Sequence, residues 1–294
     1  EKKGGDLFKR WTFRDKLDEL SKGSLADIID TYKTLVSEDY ILAEWYSVVR
    51  NWGDSLNPVL IEALSKKKPL LFRNFLNVYD RPVYMVVGSL LHTPRVKNAQ
   101  VWGTGLISDA EVVVAKPRKI FAVRGPRTRE MLLKQDISCP KVFGDPALLF
   151  PSIYCPDVMK EYRLGIIPHY MDTSSPLLSG YRNVEGVKII DVASDVHEFV
   201  RDVCSCRAIA SSSLHGCIAA DAYHIPSLWI KITGNIRGKD FKFHDYYESI
   251  GHENATPFSL ASAEDADELV DECQIKEINL DLAELRNACP FLAE

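Results

Sequence analysis

Short apolar runs, most of them closed by a glycine, serine or aspartate, alternate with helical segments through most of this chain. That rhythm restricts the fold to helices packed on a mostly parallel sheet. Strands are expected at 83–88, 101–105 and 119–123, with a helix at 127–135 that has Pro126 in its first turn, and a short run at Val142 and Phe143. Residues 150–162 carry Pro151 and Pro156 with no periodic pattern and read as a linker. The alternation then restarts, with strands at 163–167, 187–191, 208–210 and 227–232 and helices at 194–204, 214–224 and 243–250. Two α/β units follow from this, 1–156 and 157–294, and the length of 294 residues agrees at ~150 residues per domain. Leu17, Leu20, Leu25, Ile28, Ile29 and Tyr32 give the first fifty residues a helical tone. After a break at Asn51 to Asp54, a helix runs through Ile61 and Leu64, capped by Asp54 or Ser55 and closed by Lys66 to Lys68. The tail from Ala261 reads as an acidic amphipathic helix and a shorter one. Open parallel sheets bind ligands at the carboxyl ends of their strands, so two Rossmann-like units facing each other place the site in the cleft between them.

Charge narrows the partners. With 36 Lys and Arg against 41 Asp and Glu, the net charge is −5, which disfavours nucleic acid as a partner and leaves room for a local anion site. The longest apolar run, Val83 to Leu91, is broken by Gly88 and Ser89 and falls short of a membrane span. The opening residues hold no apolar stretch of the signal-peptide kind. The seven cysteines show no zinc-like pairing, and His92, His197, His224 and His252 have no ligand spacing, so the expectation is free thiols in a reducing cytoplasm and no metal.

Four segments can carry chemistry. Arg124 and Gly125 stand where a strand passes into a helix, an arrangement that makes an anion pocket or an ordinary junction with an exposed arginine. Ser211, Ser212 and Ser213 end a strand just before His215. The hydroxyls can cap the helix or bind an anion, and the histidine can exchange a proton or serve as a cap. Asp145 after Gly144 is a general base or a turn residue, with the turn somewhat favoured. The loop 234–242 gathers Arg237, Lys239 and Lys242 as a phosphate clamp or a solvated basic loop. Gly103-Thr104-Gly105 lacks the third glycine of a dinucleotide fingerprint, and the Asp265-Ala266-Asp267 triplet fits a helix start better than a metal site.

Taken together, Asn51-x-Gly53-Asp54, Val123-Arg124-Gly125-Pro126-x-Thr128, Gly144-Asp145-Pro146-Ala147-Leu148-Leu149, Ser211-Ser212-Ser213-Leu214-His215-Gly216 and Phe241-Lys242-x-x-Asp245-Tyr246-Tyr247 resemble the polysaccharide pyruvyltransferase family, with the ketal-forming exopolysaccharide branch nearest. The resemblance covers about residues 50 to 251. It implies a glycosyltransferase-B-like fold and transfer of pyruvate from phosphoenolpyruvate to sugar hydroxyls, with phosphate released and no cofactor or metal. On this resemblance Arg124 and Lys242 hold the donor, helped by Ser212, Ser213 and Gly125, and His215 is the catalytic histidine. Asp54 or Asp145 takes the complementary proton role, and Asn51 and Trp52 lie on the acceptor side. Many relatives carry arginine where this chain has Ser213, which leaves Lys231, Arg237 or Lys239 to supply the missing cation. The acceptor is a sugar or a lipid-linked oligosaccharide, which implies a cytoplasmic enzyme with peripheral contact at the inner membrane face. Two rivals share the architecture: a nucleotide-sugar glycosyltransferase and a carbohydrate-binding protein without activity. Trp52, Trp102, Tyr170, Tyr246 and Tyr247 could each stack on a sugar or simply fill the core.

Overall fold

The computed structural model describes residues 37–72, 81–234, 240–262 and 266–293, together with Ile29, Lys33 and Gly238. The helical expectation for the first fifty residues therefore lies almost wholly outside the described residues, as do Arg237, Lys239 and Asp265.

Two five-stranded parallel sheets form the frame. The first contains β1 (Tyr40–Glu44), β2 (Lys68–Leu71), β3 (Val83–Met85), β4 (Ala99–Trp102) and β5 (Lys119–Ala122), in the order β2-β1-β3-β4-β5. The second contains β6 (Leu164–Ile167), β7 (Val187–Ile189), β8 (Ile209–Ser211), β9 (Ser227–Lys231) and β10 (Phe258–Ser259), in the order β10-β9-β8-β6-β7. Counted from its own first strand, each sheet has the same doubly wound order. The direction in which successive strands are added reverses between β1 and β3 in one sheet and between β6 and β8 in the other. Such a switch point opens a crevice at the strand ends, because the connections on its two sides leave in opposite directions.

Among the described residues, seven helices of known bounds pack around these sheets: α1 (Trp52–Ser65), α2 (Pro126–Leu133), α3 (Val196–Cys204), α4 (Leu214–Ala222), α5 (Phe241–Ser249), α6 (Ala266–Glu272) and α7 (Leu282–Asn287). The α1 cap is Asn51, whose Oδ1 accepts from the Asp54 amide at 3.1 Å, rather than Asp54 or Ser55. Lys66 ends the helix in a left-handed conformation, and its ammonium donates to the Ala63 carbonyl.

β1 corrects the helical reading of its region. Tyr-Ile-Leu-Ala-Glu holds helix formers and is too short to show a period, yet it is a central strand buried on both faces. Val142 and Phe143 form no strand, only a single bridge from Phe143 to Val123. The expected linker opens with a 3-10 turn, Pro146–Ser152, whose Phe150 is wholly buried.

One continuous core joins the halves. Trp52 of α1 stacks on Phe199 of α3, with ring centroids 5.1 Å apart, and meets Phe150 edge-on. The tail, grouped by sequence with the second unit, spans both. Trp102 of β4 donates to the Leu285 carbonyl of α7 at 2.8 Å, Phe291 packs on Tyr84 and Trp102, and the Ala293 amide bonds the Leu64 carbonyl. No described helix is long and apolar enough to cross a membrane.

Candidate active site

The two switch points open onto one cavity of about 230 Å³. Glu44 and Tyr46 line it after β1, Gly88, Ser89, His92 and Thr93 after β3, His169 and Tyr170 after β6, and Ser213 and His215 after β8. Asn51 and Asp54 enter from the start of α1, and Lys242 from the first turn of α5.

His215 occupies the second position of α4, directly beyond the end of β8. A Cβ on Gly53 would stand 2.0 Å from its Nδ1, so the ring sits where only a glycine leaves room. Its Nε2 is buried without a hydrogen-bond partner and lies 3.7 Å from Asp145 Oδ2, which is likewise buried and unpaired. That separation is too long for a hydrogen bond. Two facing orphans of opposite type are costly at rest, and a small movement or a proton on the ring closes them into an ion pair. The other Asp145 oxygen accepts from the Ala147 amide at 3.0 Å and fixes the carboxylate. Asp145 thus caps its turn and faces the histidine at the same time.

Lys242 is the lysine among the described residues that line the cavity. Burial, reinforced by the nearby Arg124 charge, draws its ammonium down to about 8, against the opposing pull of Asp54 and Asp172. Burial acts in the opposite sense on Asp54 and raises its carboxyl, partly offset by its hydrogen bond from Asn51 and by the charges of His215 and Lys242. His169 is pushed down to about 3 by burial and by the cations beside it, so it stays neutral. Its Nδ1 accepts from the Met171 amide, which puts the remaining proton on Nε2. The Leu214 and His215 amides, in the first turn of α4, have no intrahelical acceptor and add positive potential at the same end.

Several expected contacts take other parts. Arg124 is wholly buried and does not line the cavity. Its guanidinium is spent on Asp245, Ser89 and the Leu106 carbonyl, and the Asp245 carboxylate also accepts from the Thr128 amide and hydroxyl. Arg124 ties α2 to α5 and steadies Ser89 in the cavity wall. Gly125 lies against protein rather than ligand, since a Cβ there would meet the Asp245 carbonyl at 1.8 Å. Ser212 is buried, accepts from the His169 amide and donates to Asp172, so it holds the His169 loop in place. Ser213 does line the cavity. Asn51 clamps Asp54 through Nδ2 at 2.5 Å and positions that carboxylate. Trp52 is fully buried and its indole donates to the Val196 carbonyl, which leaves no face for a sugar. Trp102, Tyr246 and Tyr247 are likewise core, and of the proposed stacking residues Tyr170 alone reaches the cavity. Lys231 pairs with Asp240 at 3.2 Å.

The sequence profile of the polysaccharide pyruvyl transferase family matches residues 65–233, more than half of the chain and the stretch that carries Asp145 and His215. The chain belongs to this family. An uncharacterized protein of Acanthamoeba polyphaga mimivirus is 31% identical over 212 residues, 69% of this chain and 72% of that protein. The succinoglycan biosynthesis protein ExoV of Rhizobium meliloti is 25% identical over 215 residues, 70% of this chain and 64% of that protein. Asp54 and Lys242 fall outside the family match, yet the fold brings both to His215. Sequence reasoning missed His169, Ser89, Glu44 and Thr93 as cavity residues. Their common signal is position, since each lies at or beyond the carboxyl end of a strand at a switch point.

Proposed function

We propose that this protein transfers pyruvate from phosphoenolpyruvate to a sugar of a polysaccharide or its lipid-linked precursor, forming a cyclic ketal and releasing phosphate. The observation that carries this reading is His215 backed by the unpaired Asp145 carboxylate and sharing one cavity with the Lys242 cation. The facing sheets suit a glycosyltransferase-B-like enzyme, whose two substrates approach from opposite sides of a cleft.

Phosphoenolpyruvate is a small, strongly anionic enol ester. Lys242, the neutral His169 N–H, Ser213 and the free amides of α4 offer it a charge-matched seat. Protonated His215 delivers a proton to the methylene carbon while Asp145 stabilises the imidazolium. Nε2 is sequestered against Asp145, so Nδ1 is the nitrogen that exchanges protons. The cationic C2 centre is attacked by a sugar hydroxyl whose proton passes to Asp54. The C–O bond to phosphate then breaks with the proton held by Asp54 passing to the leaving inorganic phosphate, and a second hydroxyl adds to C2 and closes the ketal ring as its proton returns to His215. A positioned acid contributes ~10²–10⁴-fold to such a step.

The test is phosphate release from phosphoenolpyruvate across a panel of sugar and lipid-linked acceptors, with mass spectrometry of the product. A mass gain corresponding to a pyruvate ketal supports the reading. His215→Gln should lower turnover by ~10²-fold or more. Near-normal turnover in that variant, or reaction with a nucleotide sugar in place of phosphoenolpyruvate, overturns it.

A further inference from the structure

Glu44 is the last residue of β1, at the first sheet's switch point, and is only 5% exposed. Its Oε1 is held by the Arg95 guanidinium, whereas Oε2 is buried with no hydrogen-bond partner. Thr93 Oγ1 is also buried and unpartnered. Both residues line the cavity that holds His215 and Lys242, Glu44 at the carboxyl end of β1 and Thr93 in the connection that follows β3. A buried carboxylate oxygen without a donor is expensive and persists where a ligand completes it. In its ionised form Glu44 repels the donor's phosphate and carboxylate, so an anion is a poor match for this wall. A neutral polyol fits, since its hydroxyls donate to Oε2 and exchange hydrogen bonds with a threonine.

We infer that Glu44 and Thr93 form the acceptor subsite, with Glu44 Oε2 accepting a hydrogen bond from one hydroxyl of a neutral sugar and Thr93 Oγ1 making a second polar contact. This rests on the pyruvyl-transfer reading and moves acceptor recognition from the buried Trp52 to the end of β1. Burial pushes the Glu44 carboxyl up to about 7 despite the Arg95 charge, so the group can accept from one hydroxyl or donate to another. Tyr46, 41% exposed and two residues further along, supplies an aromatic edge at the same wall.

The experiment titrates methyl glycosides of galactose, glucose and mannose, and their monodeoxy derivatives, into the full chain with phosphoenolpyruvate present, followed by saturation-transfer NMR. At least one glycoside should bind the unaltered protein, and Glu44→Gln should weaken it roughly 10–100-fold without weakening phosphoenolpyruvate. A deoxy derivative that binds the unaltered protein less well should lose nothing further in Glu44→Gln, which a Glu44 that merely held Arg95 in place would not produce. Thr93→Val repeats the measurement if Glu44→Gln loses its circular-dichroism signature. The inference is overturned if no glycoside binds the unaltered protein, if the variants bind as well as it does, or if every deoxy derivative loses equally in both. Failure of pyruvyl transfer shows separately, as absent phosphate release while glycoside binding still depends on Glu44, an outcome that supports the sugar subsite itself.

Discussion

Gly53 sets where His215 can stand. A methyl at that position would lie 2.0 Å from Nδ1, so Gly53→Ala should swing the ring away from Asp145. A misplacement of ~1 Å at a reacting group costs about 10²-fold, and turnover of Gly53→Ala is expected to fall by that order with the fold retained. Steady-state kinetics alongside circular dichroism checks it. Lys242 makes a second prediction. Its pKa is lowered to about 8, so the group is charged below that pH and neutral above it. The kcat/KM for phosphoenolpyruvate should therefore decline as pH rises through about 8. Lys242→Arg, which keeps its proton throughout, should remove the alkaline limb from the pH profile.

The tie between α2 and α5 holds the Lys242 wall of the cavity in place. Arg124 and Thr128 both bind Asp245, and Arg127 pairs with Glu248 at 2.6 Å on the same two helices. Breaking a buried ion pair by removing one partner costs ~3–5 kcal/mol, because the other charge is left buried and alone. Arg124→Ala should show a loss of that size in urea denaturation, and unchanged stability would contradict the structural role. Losing the Arg124 charge also removes one of the influences that depress Lys242, so the alkaline limb should move to higher pH in Arg124→Met. Arg124, read from its motif as a donor contact, is thus buried behind the cavity and influences Lys242 instead.

The molecule is joined through a shared core rather than by a flexible tether. Trp52 from the first half is stacked on Phe199 from the second, and the C-terminal tail returns to Trp102 and Leu64 of the first. Trp52→Ala should cost ~3–5 kcal/mol, as large aromatic truncations in cores do. Unfolding should be one cooperative transition, with tryptophan fluorescence and far-ultraviolet circular dichroism changing together. Two separated transitions would show that the halves hold themselves independently. The shared core also explains how a cleft between two sheets keeps His215 and Asp145 within 3.7 Å, since α1, the 3-10 turn after Asp145 and α4 all pack in it.

Alternation of short apolar runs with helical segments was enough to establish the parallel α/β character, because the period of a strand and the period of a helix are local properties of side-chain order. Local signals singled out His215 beyond a strand end and Asp145 as a base or, preferably, a turn residue, and put Lys242 in a basic loop; the proton role of Asp54 and the donor role of Lys242 came from the family resemblance. β1 was not legible, because five buried residues with helix-forming side chains become a strand only when β2 and β3 pair with them. The parts played by Arg124, Ser212 and Trp52 were not legible either. A side chain's burial, and whether its donors are already spent on Asp245, Asp172 or Val196, depends on segments distant in sequence. The order of the strands, and with it the crevice that joins Glu44 to His215, was decided by tertiary packing alone, because strand order is set by which faces bury each other and not by any local pattern.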